Sequence, residues 1–301
     1  MDISVVLCTY NNAERLRITL QSFCRLNQPQ GLDWELVTVD NNSTDNTETI
    51  IKSFGDRLPI RYVYEPEQGL SRARNAGLEV AEGELIVFTD DDVKPVSDWL
   101  VAYWKAYKDR PRGYYFGGPV ESEYEGEPPD EDLRRIAMPS VVGLNYGPTP
   151  MNLPSDGIFL GANWACPKRY LWDLGGFDEG LGLNSKGEGA EVGEETDLMK
   201  RLDKRGLNGW YSPDTKVYHF VGKKKCQIEH VVSRQLEVRE TRYENKNINE
   251  FLGLPVGLLK EKIKNFIKYQ HKKLLNKKWK KDYLEYKFWK KRMKESKGEL
   301  M

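Results

Sequence analysis

Asp90-Asp91-Asp92 closes the apolar stretch Glu84-Leu85-Ile86-Val87-Phe88-Thr89. Adjacent carboxylates at the mouth of a buried strand disfavour one another's ionisation. A divalent cation relieves that repulsion, and hard oxygen ligands suit Mg or Mn. Such a cation normally serves phosphate, so the run points to chemistry on a nucleoside diphosphate. Read alone, the triplet is equally a polar turn after a strand. Two further polar clusters argue against the turn: Thr9-Tyr10-Asn11 follows the apolar run Ile3-Cys8, and Asp40-Asn41-Asn42 follows Trp34-Val39.

The elements that must position these clusters are legible in the first hundred residues. Buried-strand runs at Ile3-Cys8, Trp34-Val39, Ile60-Tyr64 and Leu85-Thr89 alternate with helical patterns at Ala13-Phe23, Asp45-Phe54 and Leu70-Ala81. That alternation predicts βαβ units, hence an α/β fold with a mostly parallel, Rossmann-like sheet and helices on both faces. Ligands of such sheets bind beyond the C-terminal strand ends, where all three clusters fall. A helix is expected over Asp98-Tyr107. Residues 121–157 are rich in Pro, Gly, Asp and Glu and read as one long irregular segment, usually functional or mobile in a compact domain. Beyond it, Ile158-Cys166, Asn208-Tyr211 and Lys216-Phe220 read as strands, and Lys168-Leu174 and Glu194-Arg205 as helices.

A chain of 301 residues can bury a substantial core. Cys8, Cys24, Cys166 and Cys226 are widely spread without CxxC pairs, which fits free thiols in a reducing compartment. No basic leader precedes Ile3-Cys8, and no run of about 18 apolar residues occurs, so neither a signal peptide nor a spanning helix is expected. The formal net charge of zero hides a split. Residues 255–301 carry 16 Lys and Arg against 5 Asp and Glu, a net +11, whereas residues 1–254 carry 30 against 41, a net −11.

Six segments in order, S-V-V-L-C-T-Y-N-N, V-D-N-N-S-T-D-N-T, G-L-S-R-A-R-N-A-G, V-F-T-D-D-D-V, L-G-G-F-D-E and G-E-E-T-D-L, resemble family-2 glycosyltransferases of the GT-A fold. The resemblance covers roughly residues 3–222. It implies an inverting transfer of sugar from a nucleotide donor, expected here to be UDP-linked, with Mn or Mg as cofactor. Thr9, Tyr10, Asn11 and Asp40 would serve the base and ribose, Tyr10 packing the ring and the Asp40 carboxylate accepting the imide hydrogen of uracil. Asp40 is equally a helix cap in its D-N-N-S-T turn. Asp90 would face the ribose side, and Asp92, with Asp90 or Asp91, the metal; the family motif is commonly Asp-x-Asp, with Asp91 at its middle position. Arg72, Arg74 and Asn75 would contact the donor, Arg offering a planar donor fork. His219 can join the metal shell or be structural. Glu195 matches the position of the base that takes the acceptor's proton, with Glu194 and Asp197 as competitors. Asn163, Trp164, Asp178 and Glu194 would shape the sugar and acceptor pockets, Trp164 by stacking or else by simple core packing.

The tail lies outside the resemblance. Val256, Leu259, Ile263, Phe266 and Ile267 form one helical face, and Trp279, Tyr283, Tyr286, Trp289 and Met293 a second, both among lysines. Such helices suit an interface on anionic lipid, or a helical pair packed on the acidic body. Nucleic acid is not expected, because no recognised motif accompanies the charge. The expected organisation is a glycosyltransferase domain over 1–222, with a nucleotide half (1–100) and an acceptor half (101–222), then a basic helical extension over 223–301. The expected acceptor is a glycan or lipid-linked hydroxyl in surface polysaccharide or glycoconjugate synthesis, at the cytoplasmic face of the membrane. The rivals are a nucleotidyltransferase, which would release pyrophosphate, and a non-catalytic carbohydrate- or membrane-binding scaffold.

Overall fold

Strand β1 (Ile3–Thr9) is buried along its whole length, as a strand covered on both faces must be. The other strands are β2 (Trp34–Asp40), β3 (Ile60–Tyr64), β4 (Leu85–Asp90), β5 (Val93–Pro95), β6 (Tyr114–Gly117), β7 (Val120–Tyr124), β8 (Met151–Asn152), β9 (Asn163–Pro167), β10 (Asn208–Tyr211) and β11 (Val217–Val221). This computed structural model describes residues 1–27, 31–182, 193–244, 264–265, 268–269, 272–273 and 279–298. The main sheet runs β3-β2-β1-β4-β9-β6-β10-β8, and a second, smaller one runs β5-β11-β7. From β3 to β4 every pairing is parallel. Beyond β4 the sheet turns mixed, because β9 lies antiparallel to both β4 and β6. The sheet is thus mostly parallel, as expected, with the parallel pairings from β3 to β4 and between β6 and β10 and the antiparallel ones at β9 and β8.

Period-two alternation sends successive side chains to opposite faces. On β1, Ile3, Val5 and Leu7 join one core and Val6 and Cys8 the other; on β4 the same division separates Leu85 and Val87 from Ile86 and Phe88. Helix Ala13–Phe23 covers the first face with Leu16, Leu20 and Phe23. Helix Leu70–Val80 covers the second and lies very close to it: a Cβ on Gly77 would come within 2.5 Å of Val6 Cγ1. Each fully buried aliphatic or aromatic side chain contributes about 1.5–3 kcal/mol to these two layers.

The chain divides into two compact units, Met1–Glu123 with Gly143–Phe220, and Tyr124–Val142 with Val221–Met301. Part of the segment expected to be irregular thus groups with the tail. Its short helices Glu131–Arg134 and Pro139–Val142 belong to the second unit. There Leu133 and Ile136 bury against Val231 and Val232 of helix Ile228–Glu244 and Leu284 of helix Lys280–Gly298. Asp282, itself buried, pairs with Lys272 Nζ at 2.6 Å and Lys268 Nζ at 3.2 Å. Trp279 and Tyr283 pack on Tyr269. The second expected stripe is therefore partly spent on the unit's own packing. The first, Val256 to Ile267, lies outside the described residues.

Candidate active site

Parallel register brings the strand-end clusters to one edge: Thr9 pairs with Asp40, and Cys8 with Asp90. The acidic run then divides by direction. Asp91 turns back under β1, where its two carboxylate oxygens accept from Thr9 Oγ1 at 2.5 Å and Asn12 Nδ2 at 2.8 Å. Thr19 Oγ1 donates to the Asp91 carbonyl. Burial, then the Asp92 charge, pushes the Asp91 carboxyl up to about 7. With both oxygens held, Asp91 anchors the turn, and Thr9 serves this anchor. Asn12, absent from the sequence expectation, completes it.

Asp92 emerges on the other side, its Oδ1 3.4 Å from His219 Nε2. His219 is buried, and the Asp92 carbonyl accepts from Phe220 N–H, so β11 is stitched to the acidic turn. No three His, Cys, Asp or Glu side chains converge as a closed metal site among the described residues. The oxygen and nitrogen donors of an Asp–His pair nevertheless suit Mn or Mg, which commonly bind one or two carboxylates and fill the remaining positions with phosphate and water. Asp90 is directed instead toward Arg74, whose Nη2 lies 3.4 Å away. Burial raises the Asp90 carboxyl, with Arg74 opposing.

Arg74 is itself buried, and its Nη1 pairs with Glu194 Oε1 at 2.6 Å. Glu194 opens helix Glu194–Lys204. Although burial opposes ionisation, the Arg74 guanidinium holds the Glu194 carboxyl below its usual range. Asp197 is bonded to Arg201 Nε at 2.8 Å. Glu195, by contrast, forms no ion pair among the described residues, and the Arg74 charge acts on it only from a distance. Burial, then the neighbouring Glu194 charge, pushes its carboxyl up to about 7. Three acids in one turn, two of them tethered to arginines, single out the third.

On the side expected to hold a nucleotide, Tyr10 is 42% exposed just past the end of β1. Asn11 sits at φ 47°, in the left-handed region that asparagine tolerates, and bonds Ser43 and Thr44 of the neighbouring loop. Asp40 is buried and accepts from Ser43 N–H at 2.9 Å and Tyr62 O–H at 3.3 Å. It makes the expected turn, and its oxygens retain lone pairs for a further donor. Asn41, named in the sequence only as part of the strand-end cluster, holds the 65–69 loop through the carbonyls of Glu65 and Glu67 and the Gly69 N–H. Arg72 is half-exposed, between Glu67 at 2.8 Å and Glu179 at 3.0 Å. Asn75 spends its amide on the Phe177 backbone, donating to the carbonyl and accepting from the N–H. It clamps the G-G-F-D segment to helix Leu70–Val80.

Two expectations for the sugar pocket give way to packing. Asn163 is wholly buried; its oxygen accepts from Trp99 Nε1 and Tyr103 O–H, and its amide donates to the carbonyls of Pro119 and Thr215. Every hydrogen-bonding position is used inside the core, so none is left for a sugar. Trp164 is also wholly buried, stacked on Phe88 with centroids 4.9 Å apart and edge-on to Phe177. It has no open face, and core packing is its role. Asp178 is exposed in a turn, where its Oδ1 accepts from Gly180 N–H.

The model of the family described as "Glycosyl transferase family 2" matches residues 4–175. A validoxylamine A glucosyltransferase of Streptomyces hygroscopicus subsp. jinggangensis is 30% identical over 229 residues, covering 68% of this chain and 52% of that protein. This chain thus spans about half the length of that relative. A mannosyltransferase from Pyrobaculum calidifontis, solved with GDP-Man and Mn2+, superposes with TM-score 0.55 at 21% identity, over 81% of this chain and 65% of that one. S. aureus TarS with UDP-GlcNAc gives TM-score 0.54 at 18% identity, over 78% and 66%. Both support the GT-A fold. With its sheet, its strand-end acids and more than half its length matched, the chain belongs to glycosyl transferase family 2.

Proposed function

We propose that this enzyme transfers a sugar, with inversion, from a UDP-linked donor to a hydroxyl of a glycan or lipid-linked acceptor in surface polysaccharide or glycoconjugate synthesis. The observation that carries the reading is Glu195, the acid of its helix turn not tethered to arginine, with a carboxyl held near 7. A base so tuned is half-ionised at neutral pH and takes a proton readily. It receives the acceptor's proton as the acceptor oxygen bonds the anomeric carbon and the bond to the diphosphate oxygen breaks. Asp92 and His219 would hold Mn or Mg. Bound there, the cation neutralises charge developing on the departing diphosphate. Tyr10 packs the uracil and Asp40 accepts its imide hydrogen, while Asp90 faces the ribose side.

We further place the enzyme at the cytoplasmic face of the membrane, as a peripheral protein. Among the described residues no helix is long and apolar enough to cross a membrane. In the second unit, lysines sit over aromatic rings, Lys280 over Trp279, Lys287 over Tyr283 and Lys290 over Tyr286. That combination favours the headgroup layer of anionic lipid. The function test is a thermal-shift screen of UDP, GDP, dTDP and CDP with Mn, followed by turnover of the matching nucleotide sugars. Glu195→Gln should lower turnover by about a hundredfold or more with donor affinity nearly unchanged. Normal turnover in Glu195→Gln, with Asp197→Asn inactive, assigns the wrong carboxylate.

A further inference from the structure

We infer that Arg74 is a positioning residue that ties the end of β4 to the helix bearing Glu195, and not a ligand of the nucleotide. The inference rests on the glycosyl-transfer reading for what is positioned, but its geometry stands apart from it. The Arg74 side chain is 3% exposed and already engaged on two sides, by Glu194 Oε1 at 2.6 Å and Asp90 Oδ1 at 3.4 Å. Its guanidinium carbon lies 5.4 Å from the Phe177 ring centroid. A Cβ on Gly161 would come within 2.4 Å of Nη2, so the wall is shaped around the guanidinium. A phosphate would have to displace a carboxylate to reach it.

The helix carrying Arg74 is fixed independently. Gly77 seats it on Val6, and Asn75 clamps it to Phe177. Arg74 therefore projects from a rigid element and spans two others. Asp90, Glu194, Glu195 and Cys8 all interact electrostatically with it. Without the guanidinium, three carboxyls would meet with no cation between them, and Glu194 would swing outward with the helix start that aims Glu195. A lysine ammonium cannot reproduce a fork that meets two carboxylates along separate directions.

The test compares Arg74→Lys, Arg74→Met, Glu194→Gln and the double variant Arg74→Met/Glu194→Gln, using the full chain. Melting temperature, UDP affinity with Mn, and turnover at saturating donor are measured for each. Arg74→Met should lose turnover by about a hundredfold, the usual penalty for misplacing a reacting group by an ångström. Its UDP affinity should stay within about threefold. The double variant should regain part of the lost melting temperature, because the buried Glu194 carboxylate is no longer left unpaired, yet remain slow because the tie to Asp90 is missing. Arg74→Lys should fold and lose about tenfold or more in turnover, which keeps the test decisive if Arg74→Met does not fold. UDP affinity falling by more than about tenfold in Arg74→Lys or Arg74→Met, with turnover preserved, makes Arg74 a nucleotide ligand. Recovery of turnover along with stability in the double variant makes its role merely structural. Wild-type protein that neither binds nor turns over any nucleotide sugar overturns the glycosyl-transfer reading instead.

Discussion

Glu195 sets a pH dependence that can be worked out from its surroundings. Its carboxyl is raised from 4.5 to about 7, by burial first and by the Glu194 charge second. In the proposed role of base it works only when ionised. Roughly one molecule in ten is competent at pH 6 and nine in ten at pH 8, so kcat/KM should rise about ninefold between them. Glu194→Gln removes the like charge while keeping shape, and the limb should move to lower pH, bringing the two rates close together. Because the two acids interact, the limb belongs to the pair. Stability should move the opposite way. A folded-state pKa above the unfolded one means the native state binds more protons between pH 4.5 and about 7. Stability therefore falls as pH rises through that window, by at most about 1.4 kcal/mol per pH unit. Glu195→Gln cannot ionise and should escape that loss, so its melting temperature should gain on wild type from pH 5 to pH 8. Nucleoside diphosphate release across pH 5.5–8.5, paired with thermal melts, measures both. A flat wild-type profile, or a limb that does not move in Glu194→Gln, refutes the reasoning.

The proposed metal dependence rests on the Asp92–His219 pair. Titrated calorimetrically, UDP should bind more tightly with Mn than with a chelator, and Asp92→Ala should erase that difference; equal affinity in wild type would sink the assignment. Asn163→Ala strands two donors and two carbonyls in the core, so it should lower unfolding free energy in urea by at least about 3 kcal/mol, with UDP affinity of the folded protein kept. A stability change under about 1 kcal/mol would show that the core repairs itself. Leu284→Asp buries a charge beside Val231 and Val232. Hydrogen exchange should accelerate across residues 131–137 and 228–236; if it does not, the packing described for the second unit is incorrect. Removing residues 279–301 should also abolish sedimentation with anionic vesicles at low salt, where charge attraction is least screened, and undiminished sedimentation would place the lipid contact elsewhere.

Some elements stand at the bounds the sequence indicates: Ala13–Phe23, Ile60–Tyr64 and Asn208–Tyr211 coincide residue for residue. The first two have a clear period flanked by turn residues, which is what local pattern encodes. Strands β5 and β6 have no such pattern. Val93–Pro95 is three residues long, and Tyr114–Gly117 takes its strand character from pairing with β10 and β9. The stretch Ile158–Cys166 shortens to Asn163–Pro167, since Ile158 to Ala162 form no ladder. Within β9, alternation sends Asn163 and Trp164 to opposite faces, and both faces are core. Composition reports a polar residue and a large aromatic; only the neighbouring layers make them structural.

The site divides along the same line. Which residue types gather at the strand ends is local information, and Thr9, Asp40 and Asp90 do stand together. Which way each carboxylate faces depends on partners 79 and 82 residues away for Asp91 and 120 away for Glu194. One signal was nevertheless readable. On helix Leu70–Val80, Ser71, Arg74 and Leu78 recur at three- and four-residue spacing on the buried face, while Arg72 falls elsewhere. An arginine on a buried face cannot shed its charge, so it must meet carboxylates there. Periodicity thus demands that Arg74 be paired, and the fold supplies the partners. Those partners leave Glu195 as the acid of its turn that forms no ion pair among the described residues, so the buried arginine helps decide which glutamate is left for the proposed role of base.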